Sequence, residues 1–331
     1  RSQSAGSRGR ECPKDAPSAT TPRSTGREIL DPADIVEVTQ MAGFTTRQSP
    51  GQANDVELRE GIARGVFPGP RILTSIRQIN ERSGTPDELR QKVRQLKTDG
   101  ADVIKIFASA SIRDGGKQTM TDAQLAAVCG EANAQGMRTM VHAHSPESIK
   151  ASVNAGCLQI EHGVFATDEV LTLMAAKGVY FDPNVGVVLQ NYLKNRDKYN
   201  GIGNYNDEGF AYMEKGLGRN KTMIQKAVAT PGLKMVMGTD AVAGAHGHNA
   251  DEIVERVRQG GQRPMDAIIS ATSVNAVTRY FSANALAFSG ERAHTATNSD
   301  SGRVCSAAAW RCPTFPQPTR AVLSLRMIVS R

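Results

Sequence analysis

Apolar positions along this chain alternate between short continuous runs and helical spacing, and the alternation begins only after a polar head. Residues 1–30 are rich in Ser, Arg, Pro, Thr and Gly, hold no apolar run long enough for a strand, and are expected to be disordered. At Asp31-Pro32 an N-cap followed by Pro at the first helical position predicts a helix to about Met41. Gly43 to Thr46 reads as a short strand, Asp55 to Arg64 as a helix and Arg71 to Ser75 as a strand. Thr85-Pro86-Asp87-Glu88 opens a helix that Gly100 closes. Strands follow at Ala101–Ala108, Met137–His142, Cys157–Glu161, Val179–Asp182 and Leu233–Thr239. Helices are expected at Thr121–Gln135, Pro146–Asn154, Thr167–Lys177, within Val188–Ala229, at Asn249–Arg258 and at Pro264–Ala276.

Strands alternating with helices of this length mean βα units and a parallel sheet. Seven strands, each followed by a helix and preceded by one unpaired helix, fit an α/β chain of the (β/α)8 TIM-like barrel type. The missing first strand belongs before the helix at 32–41. A doubly wound sheet is the alternative, but no G-x-G-x-x-G follows any strand. The expected organisation is an irregular head at 1–30, a barrel at 31–276 and a low-order tail at 277–331 whose one short apolar run is Ala321–Val329.

The length of 331 residues, with 22% charged and 39% hydrophobic positions, suits a sizeable buried core. No apolar run is long enough for a membrane helix, and Arg1 to Arg10 lacks the apolar stretch of a secretory signal. The chain opens with Arg, so its true start is expected further upstream. The net charge of +7 suggests nucleic acid at first sight, but its distribution does not. Residues 1–30 carry six Lys/Arg against three Asp/Glu and residues 277–331 seven against two, which leaves 31–276 at −1. Basic tails bind polyanions without specificity, and no aromatic-interleaved stripe points to specific nucleic-acid recognition.

Five cysteines are spread as Cys12, Cys129, Cys157, Cys305 and Cys312, with no C-x-x-C pair. Cys129 and Cys157 lie in apolar stretches and read as free, buried thiols. A disulfide scaffold or zinc ribbon is not expected, and a reducing, cytoplasmic location fits this usage.

Candidate chemistry gathers at strand ends. Five of the six histidines fall between 142 and 248, as His142-Ala143-His144, Glu161-His162-Gly163 and His246-Gly247-His248, and Asp240 stands in Met237-Gly238-Thr239-Asp240. In a barrel the C-terminal ends of the strands form the catalytic face. Imidazoles and a carboxylate there make a metal constellation, and both ligand types suit Zn2+. A single His after a strand is more often a satisfied core or surface residue, but three such groups in succession weaken that explanation. His142, His162 and Asp240 are the stronger candidates. His144, His246 and His248 are candidates for substrate contact or support, and His294 lies in the tail. Asp240 also fits a helix N-cap or a turn. Lys105 sits inside Val103-Ile104-Lys105-Ile106-Phe107, on one face with Val103 and Phe107. A Lys there must snorkel, pair or lose its charge. A neutral amine adds carbon dioxide to give a carbamate, an anionic oxygen ligand. A structural ion pair with Asp102 or Asp240 is the alternative.

In that order, Lys105, His142, His162 and Asp240 resemble the amidohydrolase superfamily, in its imidazolonepropionase-like and Xaa-Pro (Xaa-Arg) dipeptidase-like branch. Supporting stretches are Ala42 to Thr46, Leu58 to Arg71, Gly100 to Lys105, Ile160 to Gly163, Gly238 to Ala241 and Ser270 to Ser273. The resemblance spans about Asp31 to Ala276. It implies a metal-dependent hydrolase of C–N bonds with one or two divalent ions, most often zinc. It further implies a carbamylated Lys105 as bridging ligand, His142 and His162 as metal ligands, and Asp240 as ligand and catalytic proton acceptor. Two features of the family pattern are missing. No His precedes His142, so the strand-one His-x-His pair is absent, and no Gly-rich strand pattern of a C-terminal β domain follows Ala276. Both tails read like truncated or frame-altered sequence.

A barrel short of one strand exposes two edges and part of its interior. The outer metal position would keep the carbamate, His142 and His162, and the buried position only the carbamate and Asp240. At most one well-held ion and weak or absent turnover are expected. The substrate class is a small amide, dipeptide or cyclic amide, set by the loops at Asn184–Gly203 and Ala241–His248. Arg71, Arg77 or Tyr192 could hold a substrate carboxylate. The alternative is an inactive relative that serves as a binding or oligomerisation partner, or a fragment without function. No membrane partner is expected, and a homo-oligomer is open.

Overall fold

The computed structural model describes residues 32–184, 186–241 and 245–275. The expectations for Asp31, for the head at 1–30 and for the tail at 277–331 lie outside these residues, as do Cys12, Cys305, Cys312 and His294.

Among the described residues, eight strands and eleven helices follow one another in the order that the pattern predicts, with some displaced ends. The helices are α1 Pro32–Met41, α2 Asp55–Ala63, α3 Pro86–Thr98, α4 Asp122–Ala134, α5 Pro146–Asn154, α6 Asp168–Lys177, α7 Val187–Lys194, α8 Arg196–Tyr199, α9 Asp207–Ala229, α10 Asp251–Arg258 and α11 Pro264–Ile269. The strands are β1 Thr46–Ser49, β2 Arg71–Thr74, β3 Gln78–Ile79, β4 Val103–Phe107, β5 Arg138–Ala143, β6 Gln159–His162, β7 Tyr180–Asp182 and β8 Lys234–Met235. Every ladder is parallel: β1 pairs with β2, and β3 to β8 pair in chain order. Among the described residues no ladder joins β8 back to β1. The described residues thus form an α/β, TIM-like array of parallel strands, with no closing ladder among them.

Three expectations need correction. The first strand lies three residues later than Gly43–Thr46, because Gly43 adopts a left-handed turn (φ 92°) that closes α1 before extension begins. The single strand foreseen at Arg71–Ser75 is followed by a second piece, β3. Between them Ile76 has φ 59°, a conformation costly for a β-branched residue, and the bend lets β2 face β1 while β3 faces β4. Asp102 spans the bend: its backbone N–H donates to Thr74 O (2.8 Å) and its carboxylate accepts from Thr74 N (3.0 Å). The strand foreseen at Leu233–Thr239 forms a ladder only at Lys234–Met235. Past it, Gly238 N donates to the Asp182 side chain (2.9 Å) instead of to a neighbouring strand.

Helix boundaries follow local chemistry. α3 begins in a capping box of Thr85 and Glu88, with Pro86 at the first turn. α4 begins in the same device, built from Thr121 and Gln124. α3 buries Leu89, Val93 and Leu96, one stripe at helical spacing. That stripe meets the outward strand positions Ile104, Ile106, Val141, Ile160 and Phe181 in one core between sheet and helices. Each such fully buried side chain contributes about 1.5–3 kcal/mol.

The cysteine expectation is overturned. Cys129 on α4 and Cys157 just before β6 form a disulfide, with Cα atoms 5.1 Å apart. Both are apolar-layer positions, as expected, but α4 packs beside the start of β6 and brings them together. The pair is not two free thiols, so the ground for inferring a reducing compartment is gone. Among the described residues no helix is long and apolar enough to cross a membrane.

Candidate active site

Strand alternation sorts the site. Positions 104, 106, 141, 160 and 181 point outward to the helices, so Lys105, Phe107, Met140, His142, Gln159, Glu161 and Asp182 point inward. Register places them in layers. Lys105 is level with Met140 and Gln159, and one layer nearer the C-terminal ends Phe107, His142, Glu161 and Asp182 stand side by side. Lys105 is buried and reaches up to Glu161, Nζ to Oε2 3.6 Å. Glu161 also accepts from Gln159 Nε2 at 2.6 Å. The lysine therefore pairs, but with neither Asp102 nor Asp240. Asp102 is held by Arg59 at 2.8 Å.

His142, His144 and His162 form a three-ring cluster, with centroids 4.5, 4.7 and 5.1 Å apart. His162 joins it because its own φ of 69° ends β6 and turns the side chain off the strand's alternation. Asp240 likewise has φ 49°, and Asn184 φ 38°. Left-handed backbone at non-glycine residues costs energy and gathers at functional positions. Burial, the first cause, lowers the pKa of all three imidazoles, and the nearby positive charge of Lys105 adds to the effect. His144 falls to about 3. They are neutral, with lone pairs available. His142 Nε2 lies 3.3 Å from Ala110 O, and His144 Nδ1 is buried without a hydrogen-bond partner.

A cavity of about 370 Å3 has Lys105, Glu161, Asp182, Asp240, Gln48 and His246 in its wall, and not the three clustered histidines. Removal from bulk water pushes Asp240 up to about 6, Lys105 pulls it down and Asp182 pushes it up. Asp240 is reachable by water through the cavity, so this is the effect of a crowded pocket rather than of full burial. Asp182 is pushed up to about 7 by burial and by Glu161, against the pull of Arg256. Arg256 is wholly buried on α10. Its Nη2 donates to Asp182 (2.9 Å), its Nη1 to Val236 O (2.7 Å), and Glu252 lies 3.7 Å from its Nε.

The remaining candidates separate. His246 is half-buried in the cavity wall, where burial lowers its pKa and Arg47 adds to the effect. His248 is exposed and stands 3.3 Å from Asp251, away from the cluster. Tyr192 on α7 is buried among Tyr199 and Tyr205, at 4.9 and 5.0 Å. Arg71 is exposed at the first position of β2, and Arg77 is exposed. The determinant loop at Ala241–His248 is described only in part. Sequence reasoning gave no role to Glu161, Asp182, Asn184, Arg113 or Arg256. Glu161 was visible inside Glu161-His162, and alternation from His142 would have placed it inward.

A divalent ion can be tested against these donors. Neutral imidazoles, inward carboxylates and the unpartnered His144 Nδ1 fit one in kind. Among the described residues, no three His, Cys, Asp or Glu side chains already stand as a ready cage. Lys105 as an ammonium repels a cation, and only its carbamate binds one.

Comparison with known proteins bears on this arrangement. The model of the amidohydrolase family matches residues 34–282. Ochratoxinase of Aspergillus niger is 30% identical over 223 residues, which are 63% of this chain and 45% of that protein. The chain thus spans less than half the length of that relative. Among solved structures, a Xaa-Pro dipeptidase with methionine bound in its active site superposes with a TM-score of 0.67 at 28% identity, covering 80% of this chain and 72% of the other. A prolidase complexed with N-methylphosphonate-L-proline gives a TM-score of 0.67 at 22% identity, over 75% and 66% of the two chains, a likeness of fold. The match to the family model runs over most of the described residues and across all eight strands, and by it this chain belongs to the amidohydrolase family.

Proposed function

We propose that this chain hydrolyses the C–N bond of a small amide, dipeptide or cyclic amide with the help of a divalent ion, most suitably zinc. The observation that carries the proposal is the ring cluster of His142, His144 and His162 at the C-terminal ends of β5 and β6, with Lys105 one layer below on β4 and in the wall of the cavity that Asp240 also lines. His142, His162 and a carbamylated Lys105 would hold the ion, with Asp240 facing the same space. A bound divalent ion polarises a carbonyl and makes water more acidic, which is the chemistry that amide cleavage needs.

The chain's own groups do the rest. Asp240 accepts the proton of the water that attacks the carbonyl carbon, and returns it to the nitrogen as the C–N bond breaks. Glu161 neutralises the Lys105 side chain until the amine is modified. Arg256 fixes Asp182 beneath the site, so that the inner carboxylates keep their places. His144 packs against both other rings and limits how they turn. His246 lies on the cavity side of the site and is placed to meet substrate.

Release of amine from a panel of N-acyl amino acids and dipeptides, with zinc and bicarbonate present, tests this. Asp240→Asn is expected to reduce the rate at least about a hundredfold while the circular dichroism spectrum is unchanged. An Asp240→Asn variant as active as the parent would sink the assignment.

A further inference from the structure

Another cavity, of about 130 Å3, lies at the end of the sheet opposite the histidines. Its wall is built where neighbouring strands begin: Arg138 is the first residue of β5, Gln159 of β6, Tyr180 of β7 and Lys234 of β8. Register sets Gln159, Tyr180 and Lys234 level with one another, and Arg138 stands two residues before Met140, the β5 position at that level. Two cations, a phenol and an amide thus border one small space, and among the described residues no carboxylate stands in its wall.

Arg138 is only 5% exposed, and its Nη2 donates to the neutral Gln48 side chain at 3.1 Å. A guanidinium carries five N–H donors, so contacts to protein groups and to a ligand are compatible. Burial raises the pKa of the Tyr180 phenol, and the charge of Arg138 draws it back, which puts the two groups within electrical reach of each other. Lys234 is exposed, with its Nζ 5.2 Å from the centre of the Tyr180 ring, and it forms no ion pair among the described residues. Gln159 is already engaged, since its Nε2 donates to Glu161 at 2.6 Å. Two cations that border one space repel each other, and a doubly charged anion between them removes that cost. A guanidinium and an ammonium are also the donors that suit phosphate oxygens. Lys234 has a structural role as well. Its Nζ lies 3.3 Å from where a Cβ on Gly178 would stand, and Gly178 caps the C-terminus of α6, an end that favours a cation with no ligand present.

We propose that this cavity binds a phosphate group, free or carried on a small molecule, between Arg138 and Lys234. The site is separate from the proposed hydrolase centre, so either can fail without the other.

Calorimetric titration of the full chain, purified without added zinc, with inorganic phosphate and with phenyl phosphate tests this, against acetate at matched ionic strength. At least one phosphate is expected to bind with a Kd of about 1 mM or tighter, and acetate about tenfold more weakly. The tighter of the two phosphates tells the free ion from the carried group, and failure of both to bind the unaltered chain overturns the proposal. Lys234→Gln is expected to weaken the binding about tenfold or more, with Lys234→Arg retaining most of it. Arg47→Gln, in the wall of the larger cavity, is expected to leave it unchanged. A Lys234→Gln chain that melts earlier but binds phosphate like the parent shows a helix-capping role alone and overturns the proposal. Loss of binding in Arg47→Gln with none in Lys234→Gln places the anion in the larger cavity and overturns it too.

Discussion

Lys105, His142, His162 and Asp240 were legible one by one, because each breaks its local pattern: a charge inside an apolar strand, or a polar group where a strand stops. What they touch was not legible. Lys105 pairs with Glu161, fifty-six positions away in sequence, because two parallel strands set the register between them. Arg256 was invisible for the same reason. On α10 it reads as one of several charged residues, yet it is wholly buried and bonded to Asp182 and Val236 O. Arg256→Met would take the cation from the buried Asp182, which would keep the Gly238 N–H, and the donor from Val236 O. Loss of one partner of a buried ion pair costs about 3–5 kcal/mol. Urea denaturation should show that loss, and a cost below about 1 kcal/mol would mean that water takes the place of the guanidinium.

At the scale of elements, helix starts were read almost to the residue, since capping is local chemistry. Thr85 with Glu88, and Thr121 with Gln124, cap the helices that they were expected to open. Strand ends were read less well, because pairing rather than propensity decides them. Ile76 bends one expected strand into two, and Gly238 leaves the sheet to bond Asp182. The disulfide was missed because Cys129 and Cys157 stand 28 positions apart with an element boundary on each side. A closed loop of that size stabilises a fold by about 3–4 kcal/mol in the chain-entropy model. Cys129→Ser with Cys157→Ser should lower the denaturation midpoint accordingly under non-reducing conditions. If the unaltered chain carries two titratable thiols at these positions when unfolded without reductant, the bond does not form.

For the whole molecule, the alternation of strands and helices was enough to give a parallel, barrel-like α/β array. Unpaired strand edges invite association. His142, His162 and Lys105 stand on three consecutive strands within the six-stranded ladder. The measurement that bears most directly on this account is zinc content per folded chain, by elemental analysis after purification with zinc and bicarbonate, for the parent and for Lys105→Ala. The account predicts about one ion in the parent and a folded, metal-poor variant. A folded, monodisperse parent without zinc, or a Lys105→Ala chain that keeps its zinc in full, would contradict it.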